Sequence, residues 1–128
     1  MTKPVVVEDI EYIVSKGFGW SAFEGKTVLF SGAAGFLPAY MVETLLFLNQ
    51  VMNRSKSQRT KVVGLVRNYR KALQRFARYV GRDDFILLEH DINLPLRLDG
   101  DIDFIIHAAS QASPKYFGVD PVGTLLPN

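Results

Sequence analysis

The chain has no cysteine among its 128 residues. That removes a disulfide framework, thiolate nucleophiles, and zinc or iron–sulfur sites built on thiolates. No apolar run approaches the roughly 20 residues that a membrane span requires. The opening "MTKPVVVEDIEYIV" has a short apolar run and carries Glu8, Asp9 and Glu11, so it does not read as a signal peptide. A formal net charge of +2 is too small to imply nucleic acid or an anionic membrane as a partner. No internal repeat or low-complexity tract is present. These absences leave a cytoplasmic globular protein. A content of 48% hydrophobic and 22% charged residues fits that class, and the length suits one domain with a real core.

Four short apolar runs stand out: "TVLFS" (27–31), "KVVGLVR" (61–67), "FILLEHD" (85–91) and "DFIIHAA" (103–109). None alternates cleanly between apolar and polar residues. Strands covered on both faces behave this way, as in parallel sheets. Apolar residues from Leu37 to Met52 recur at helical spacing. A second helical stripe, Ala72, Leu73, Phe76, Ala77 and Val80, spans 69–80. The hydrophilic stretch 53–60 reads as a loop, and 93–101 as a loop or broken helix. The order β-α-β-α-β-(loop)-β calls for a parallel sheet with right-handed crossovers. Residues 1–24 fall outside it, as a helix over 7–16 packed on the domain edge and an irregular aromatic arm. The alternative for this segment is a partner-contacting arm.

The stretch "VLFSGAAGFLPAY" (28–40) carries chemistry. A strand ending in a glycine turn that opens a helix aims several backbone N–H groups at one point. The helix dipole adds about half a positive charge there, which favours a pyrophosphate. Gly32 and Gly35 have G-x-x-G spacing in this strand–turn–helix setting. No G-K-[ST] follows, so a nucleoside-triphosphate P-loop is excluded. Pro38 stands where such loops often place a third glycine. In the first helical turn its missing N–H removes no intrahelical bond, and the Phe36 and Leu37 donors remain. Small Ala39 partly restores close packing, while proline biases Leu37 away from helical angles. The expectation is a slightly displaced helix and a working seat.

With these residues in place, the sequence resembles the extended short-chain dehydrogenase/reductases, the NAD(P)-dependent epimerase/dehydratase family that acts on nucleotide sugars. The glycine segment is similar to the family's T-G-x-x-G-F-[IL]-G, and "LLEHDINLPL" to its G-D-[IL]. "DFIIHAASQASP" is similar to D-x-[IV]-[IF]-H-x-A-[AS], and "DPVGTLLPN" to D-P-x-x-x-x-x-x-N. The resemblance spans Gly25 to Asn128. It implies a Rossmann-type α/β fold with a doubly wound parallel sheet, here truncated to about four strands over 25–128, behind an N-terminal helical extension at 1–24.

It also implies site residues. Gly32, Ala34, Gly35, Phe36 and Leu37 would line the pyrophosphate loop. Asp91 would accept from the adenine amino group, with Ile92 near the ring. Ala108, Ala109 and Ser110 would pass under the nicotinamide-side ribose. The bland alternative for Asp91 is a turn or cap aspartate. His107 reads as a core histidine ending a strand rather than a catalytic group.

Two departures from the family pattern matter. NAD-preferring members usually end the second strand in an acid that holds the ribose 2′-hydroxyl; here Val66 stands there, followed by Arg67. Arg67, with Arg70 and Lys71 behind it, could pair with the 2′-phosphate of NADP, or belong to the solvated face of a basic helix. The cofactor is therefore NAD or NADP. The family's catalytic Tyr-x-x-x-Lys is absent after the fourth strand. Tyr12 and Lys16 have that spacing, but they precede the first strand and the match is a coincidence. No catalytic residue or metal ligand is assigned. The chain reads as the cofactor-binding part of a longer enzyme that meets its nucleotide-sugar substrate only in the full-length parent. By itself it would be inactive, and it would self-associate or form a homo-oligomer through an uncovered sheet edge. The alternative is a stand-alone dinucleotide-binding module without catalysis. A nucleic-acid binder is suggested by six basic residues between Arg67 and Arg82 with no acid among them. It is disfavoured by the small net charge and by Phe76, which belongs to the apolar stripe.

Overall fold

A computed structural model of the chain describes residues 3–109. Eight elements follow in order. Helix α1 (Val5–Ser15) and a short 3₁₀ turn (Trp20–Phe23) precede strand β1 (Thr27–Ser31). Helix α2 (Phe36–Val51), strand β2 (Lys61–Val66), helix α3 (Tyr69–Arg75), strand β3 (Phe85–Glu89) and strand β4 (Phe104–His107) complete the series. The four strands form one parallel sheet in the order β3-β2-β1-β4. The chain adds β2 and β3 on one side of β1, then returns to place β4 on the other. The reversal between β1 and β4 is the topological switch point, beside which parallel α/β sheets bind ligands at the strands' carboxyl ends.

The lack of alternation in the strands is explained by burial on both faces. Val28, Phe30, Val62 and Val66 face the helices, where they pack with Val42, Leu46, Ala72 and Phe76. Leu29, Val63 and Leu65 face the other way, against Ile86, Leu88, Ile92, Leu96, Leu98 and Ile102. On that second face, among the described residues, the cover is the irregular segment 90–103 rather than a helix.

Several elements differ in extent from the sequence reading. Helix α1 begins at Val5 behind Pro4, whose carbonyl accepts from the Val7 and Glu8 N–H groups. Helix α3 ends at Arg75, and the chain continues to Val80 as turns. This unwinding changes the phase of the stripe: Tyr79 is buried and Val80 is exposed. Strand β3 stops at Glu89 because Asp91 opens a turn, its Oδ1 accepting from the Asn93 N–H at 2.9 Å. Segment 93–101 contains no helix. The hydrophilic loop 53–60 is less exposed than its composition implies, since Arg54 and Thr60 are buried. Helix α1 packs on α2, with Ile10 buried and the Tyr40 hydroxyl donating to Asp9 Oδ2 at 2.8 Å. No helix among the described residues is long and apolar enough to cross a membrane.

Candidate functional site

The turn after β1 leaves the strand at Gly32, with φ of +61°. A Cβ there would lie 2.8 Å from the Ala108 carbonyl oxygen and 2.9 Å from Ala109 Cα. Both the backbone angle and the close approach of the segment after β4 therefore require glycine. The turn is also anchored to β2. The Ala33 N–H donates to the Leu65 carbonyl at 3.0 Å, and Gly64 leaves just enough room for the Ala33 methyl, 3.1 Å from where its own Cβ would be.

Helix α2 starts with Gly35 as its cap in an extended conformation, and its first bond runs from the Ala39 N–H to the Gly35 carbonyl at 3.0 Å. Pro38 precedes that bond, so the ring removes no helical hydrogen bond. Leu37 is helical despite the following proline, and Ala39 is fully buried against the sheet. The N–H groups of Ala34, Phe36 and Leu37 donate to no acceptor among the described residues. These are the donors that a strand–turn–helix seat offers an anion.

Ser31 and His107 are register partners at the ends of β1 and β4. Ser31 Oγ lies 2.6 Å from His107 Nδ1 and accepts from the N–H groups of Ala108 at 2.9 Å and Ala109 at 3.2 Å. A hydroxyl has one proton and two lone pairs. With both lone pairs engaged by the two amides, the hydroxyl proton is left to face Nδ1. His107 ends its strand as expected but is exposed rather than in the core. The sequence reading missed Ser31; its signal was a hydroxyl residue at the last position of the strand before the glycine turn.

An open cleft of about 1030 Å³ lies at this end of the sheet. Its floor is the glycine turn and the segment after β4. One wall is the start of α3, where Asn68 caps the helix by accepting from the Lys71 N–H at 3.0 Å. Arg67 and Lys71 stand on that wall, both exposed. Arg75 also lines the cleft and is held by Glu43 Oε1 at 2.6 Å. Glu89 faces the same space from the end of β3, beside Val66 in register, and accepts from the Tyr69 N–H at 3.3 Å. The acid missing from the end of β2 is thus offered by its neighbour, which a search confined to the second strand does not find.

No protein-family profile matches the chain. Individual relatives do. UDP-glucuronic acid decarboxylase 3 of Arabidopsis thaliana is 28% identical over 101 residues, 79% of this chain and 26% of that protein. UDP-glucuronic acid decarboxylase 1 of Danio rerio is 29% identical over 104 residues, 80% of this chain and 22% of its own. These similarities bear out the resemblance to the extended short-chain dehydrogenase/reductases. It spans about a quarter of the length of these curated relatives. Among solved structures, Pen from Bacillus thuringiensis superposes with a TM-score of 0.58 at 18% identity, covering 82% of this chain and 31% of that one. That likeness bears on the fold alone, a Rossmann-like α/β sheet.

Of the site residues expected from the sequence, Gly32, Ala34, Gly35, Arg67, Asp91, Ile92, Ala108 and Ala109 all line the one cleft. Phe36 and Leu37 do not; their side chains are exposed and only their backbone N–H groups stand at the seat. Ser110 lies outside the described residues. Asp91 is a turn aspartate that also lines the cleft. One carboxylate oxygen holds the turn through Asn93. Tyr12 is on α1 and Lys16 caps its C-terminal end, with the ammonium 4.4 Å from the centre of the tyrosine ring, and neither lines the cleft.

Proposed function

We propose that this chain is the dinucleotide-binding part of a nucleotide-sugar enzyme of the epimerase/dehydratase type. The observation that carries the reading is the meeting of Gly32 with the Ala108–Ala109 segment at the switch point. It leaves the α2 N-terminus facing a cleft that also contains Asp91. The residues suit the cofactor. The N–H groups of Ala34, Phe36 and Leu37 would take the pyrophosphate oxygens, and no side chain beyond Cα stands at Gly32 or Gly35 to block their approach. The Asp91 oxygen not engaged with Asn93 would accept from the adenine amine. Ala108 and Ala109, held in place by Ser31, would support the nicotinamide-side ribose. The nicotinamide, when bound, supplies the hydride-transfer capacity of the parent enzyme.

The ribose end of the adenosine would meet mixed charge. Arg67 and Lys71 favour a 2′-phosphate, whereas Glu89 favours a free 2′-hydroxyl, so the cofactor is NAD or NADP. This segment binds and orients; among the described residues no tyrosine–lysine pair lines the cleft, and it is expected to show no turnover by itself. Fluorescence titration with NADH and NADPH tests the reading. Saturable enhancement with either supports it, and the absence of any change with both, in a folded protein, contradicts it.

A further inference from the structure

The basic stretch between Arg67 and Arg82 does not act as one surface. Arg67, Lys71 and Arg75 face the cofactor cleft, while Arg78 and Arg82 turn to the opposite end of the sheet. There they join Arg54 and Arg59 around a second cavity of about 500 Å³, beside the end of α2 and the starts of β2 and β3.

Three of these arginines have carboxylate neighbours. Arg82 binds Asp84 through two nitrogens, at 2.9 and 2.5 Å. Arg59 meets Asp83 at 3.0 Å. Arg54 has only Glu24, at 3.5 Å, although it is 6% exposed. Its other contacts, to Asn49 Oδ1 and Thr60 Oγ1, are both 3.4 Å long, and its Nε has no hydrogen-bond partner. A buried guanidinium with so little compensation is unfavourable unless further negative charge approaches it. Arg78 is exposed and has no ion pair among the described residues.

We propose that this cavity is a second anion site, separate from the cofactor cleft, that takes a phosphate-class oxyanion. Tetrahedral oxygens can accept from several guanidinium forks at once, which matches four arginines converging from two loops. The C-terminal end of α2 carries the negative end of its dipole into the same region, and Asp83 lines the cavity. Both reduce the affinity.

The test is residue-resolved NMR on the full 128-residue chain, with pyrophosphate as the probe. Sodium chloride at matched ionic strength is the control, and ADP is a separate arm. The amides of Asn53, Arg59 and Asp83 report this cavity; those of Gly32 and Gly35 report the cofactor cleft independently, so failure at one site is distinct from failure at the other. Saturable shifts at the first set with pyrophosphate are expected, weakened about fivefold in Arg78→Ala and recovered in Arg78→Lys. Tighter binding of ADP at the same amides would identify a nucleotide as the source of the phosphate, and weaker binding a free phosphate. Equal shifts with chloride, no shifts, or an unchanged response in Arg78→Ala would overturn the proposal.

Discussion

Ser31 Oγ stands 2.6 Å from His107 Nδ1 and, through the N–H groups of Ala108 and Ala109, ties the last residue of β1 to the segment after β4. The hydroxyl thus adds to the β1–β4 pairing and the Ala108 N–H to Ser31 carbonyl bond in fixing the two loops that form the cleft floor. Ser31→Ala removes these bonds, but the Ala108 N–H keeps the Ser31 carbonyl at 3.2 Å and Ala109 is only half-buried, so the cost is about 1 kcal/mol. The urea midpoint should fall accordingly, dinucleotide affinity should weaken with it, and Ser31→Thr should retain most of both.

Acid sensitivity should come from the other end of the sheet. Burial by itself would raise the pKa of Asp84, but hydrogen bonds from Arg82 and Asn49, with the charge of Arg82, outweigh it and hold the carboxyl below its ordinary value. A carboxyl whose pKa is lower in the folded state contributes stability above its unfolded pKa of about 3.9. That stability is lost as pH falls through the folded value. Urea midpoints should therefore decline below about pH 4. Asp84→Asn should be less stable at pH 7 and show a flatter decline in acid; an identical acid limb in the variant would contradict this assignment.

The tyrosine–lysine spacing at Tyr12 and Lys16 has a structural explanation, the last turn of α1 and its capping residue, with the ammonium over the ring. Tyr12→Phe should leave dinucleotide affinity unchanged. A loss of binding in that variant would place α1 at the site.

Strand β4 is an edge of the sheet among the described residues, and Ile105 on it is 67% exposed. Unpaired edges with apolar side chains pair readily with a second chain. Sedimentation velocity should show concentration-dependent association, weakened about tenfold by Ile105→Lys. A single monomeric species at all concentrations would argue against this.

Much of the fold is legible in the sequence because local and global preferences agree. The run "TVLFS" is flanked by a glycine turn and buried on both sides, and it is β1 without a change of boundary. Where a boundary moved, a side chain or a turn took over. Asp91 folds back on Asn93 and ends β3 early, and the turns after Arg75 bring Tyr79 into the core in place of Val80. Periodicity cannot report such events, since they depend on single hydrogen bonds. The glycine turn, Asp91 and the Ala108–Ala109 pair could be singled out because they match family motifs, and they line one cleft. Glu89 and Ser31 could not. Their roles arise from register between strands that lie about 20 and 75 residues apart in the chain, and no local pattern carries that information.

Calorimetric titration of the chain with NAD and with NADP tests the central claim most directly, because it reads the seat without requiring catalysis. The account predicts saturable heat with at least one of them. A preference for NADP would assign the 2′-phosphate to Arg67 and Lys71, and a preference for NAD would assign the 2′-hydroxyl to Glu89. Gly35→Asp should abolish the heat, since Gly35 has an ordinary negative φ that aspartate can adopt, while its carboxylate would stand beside the N–H groups of the seat. Absence of heat with both cofactors in the folded wild-type chain, or undiminished heat in Gly35→Asp, would contradict the account.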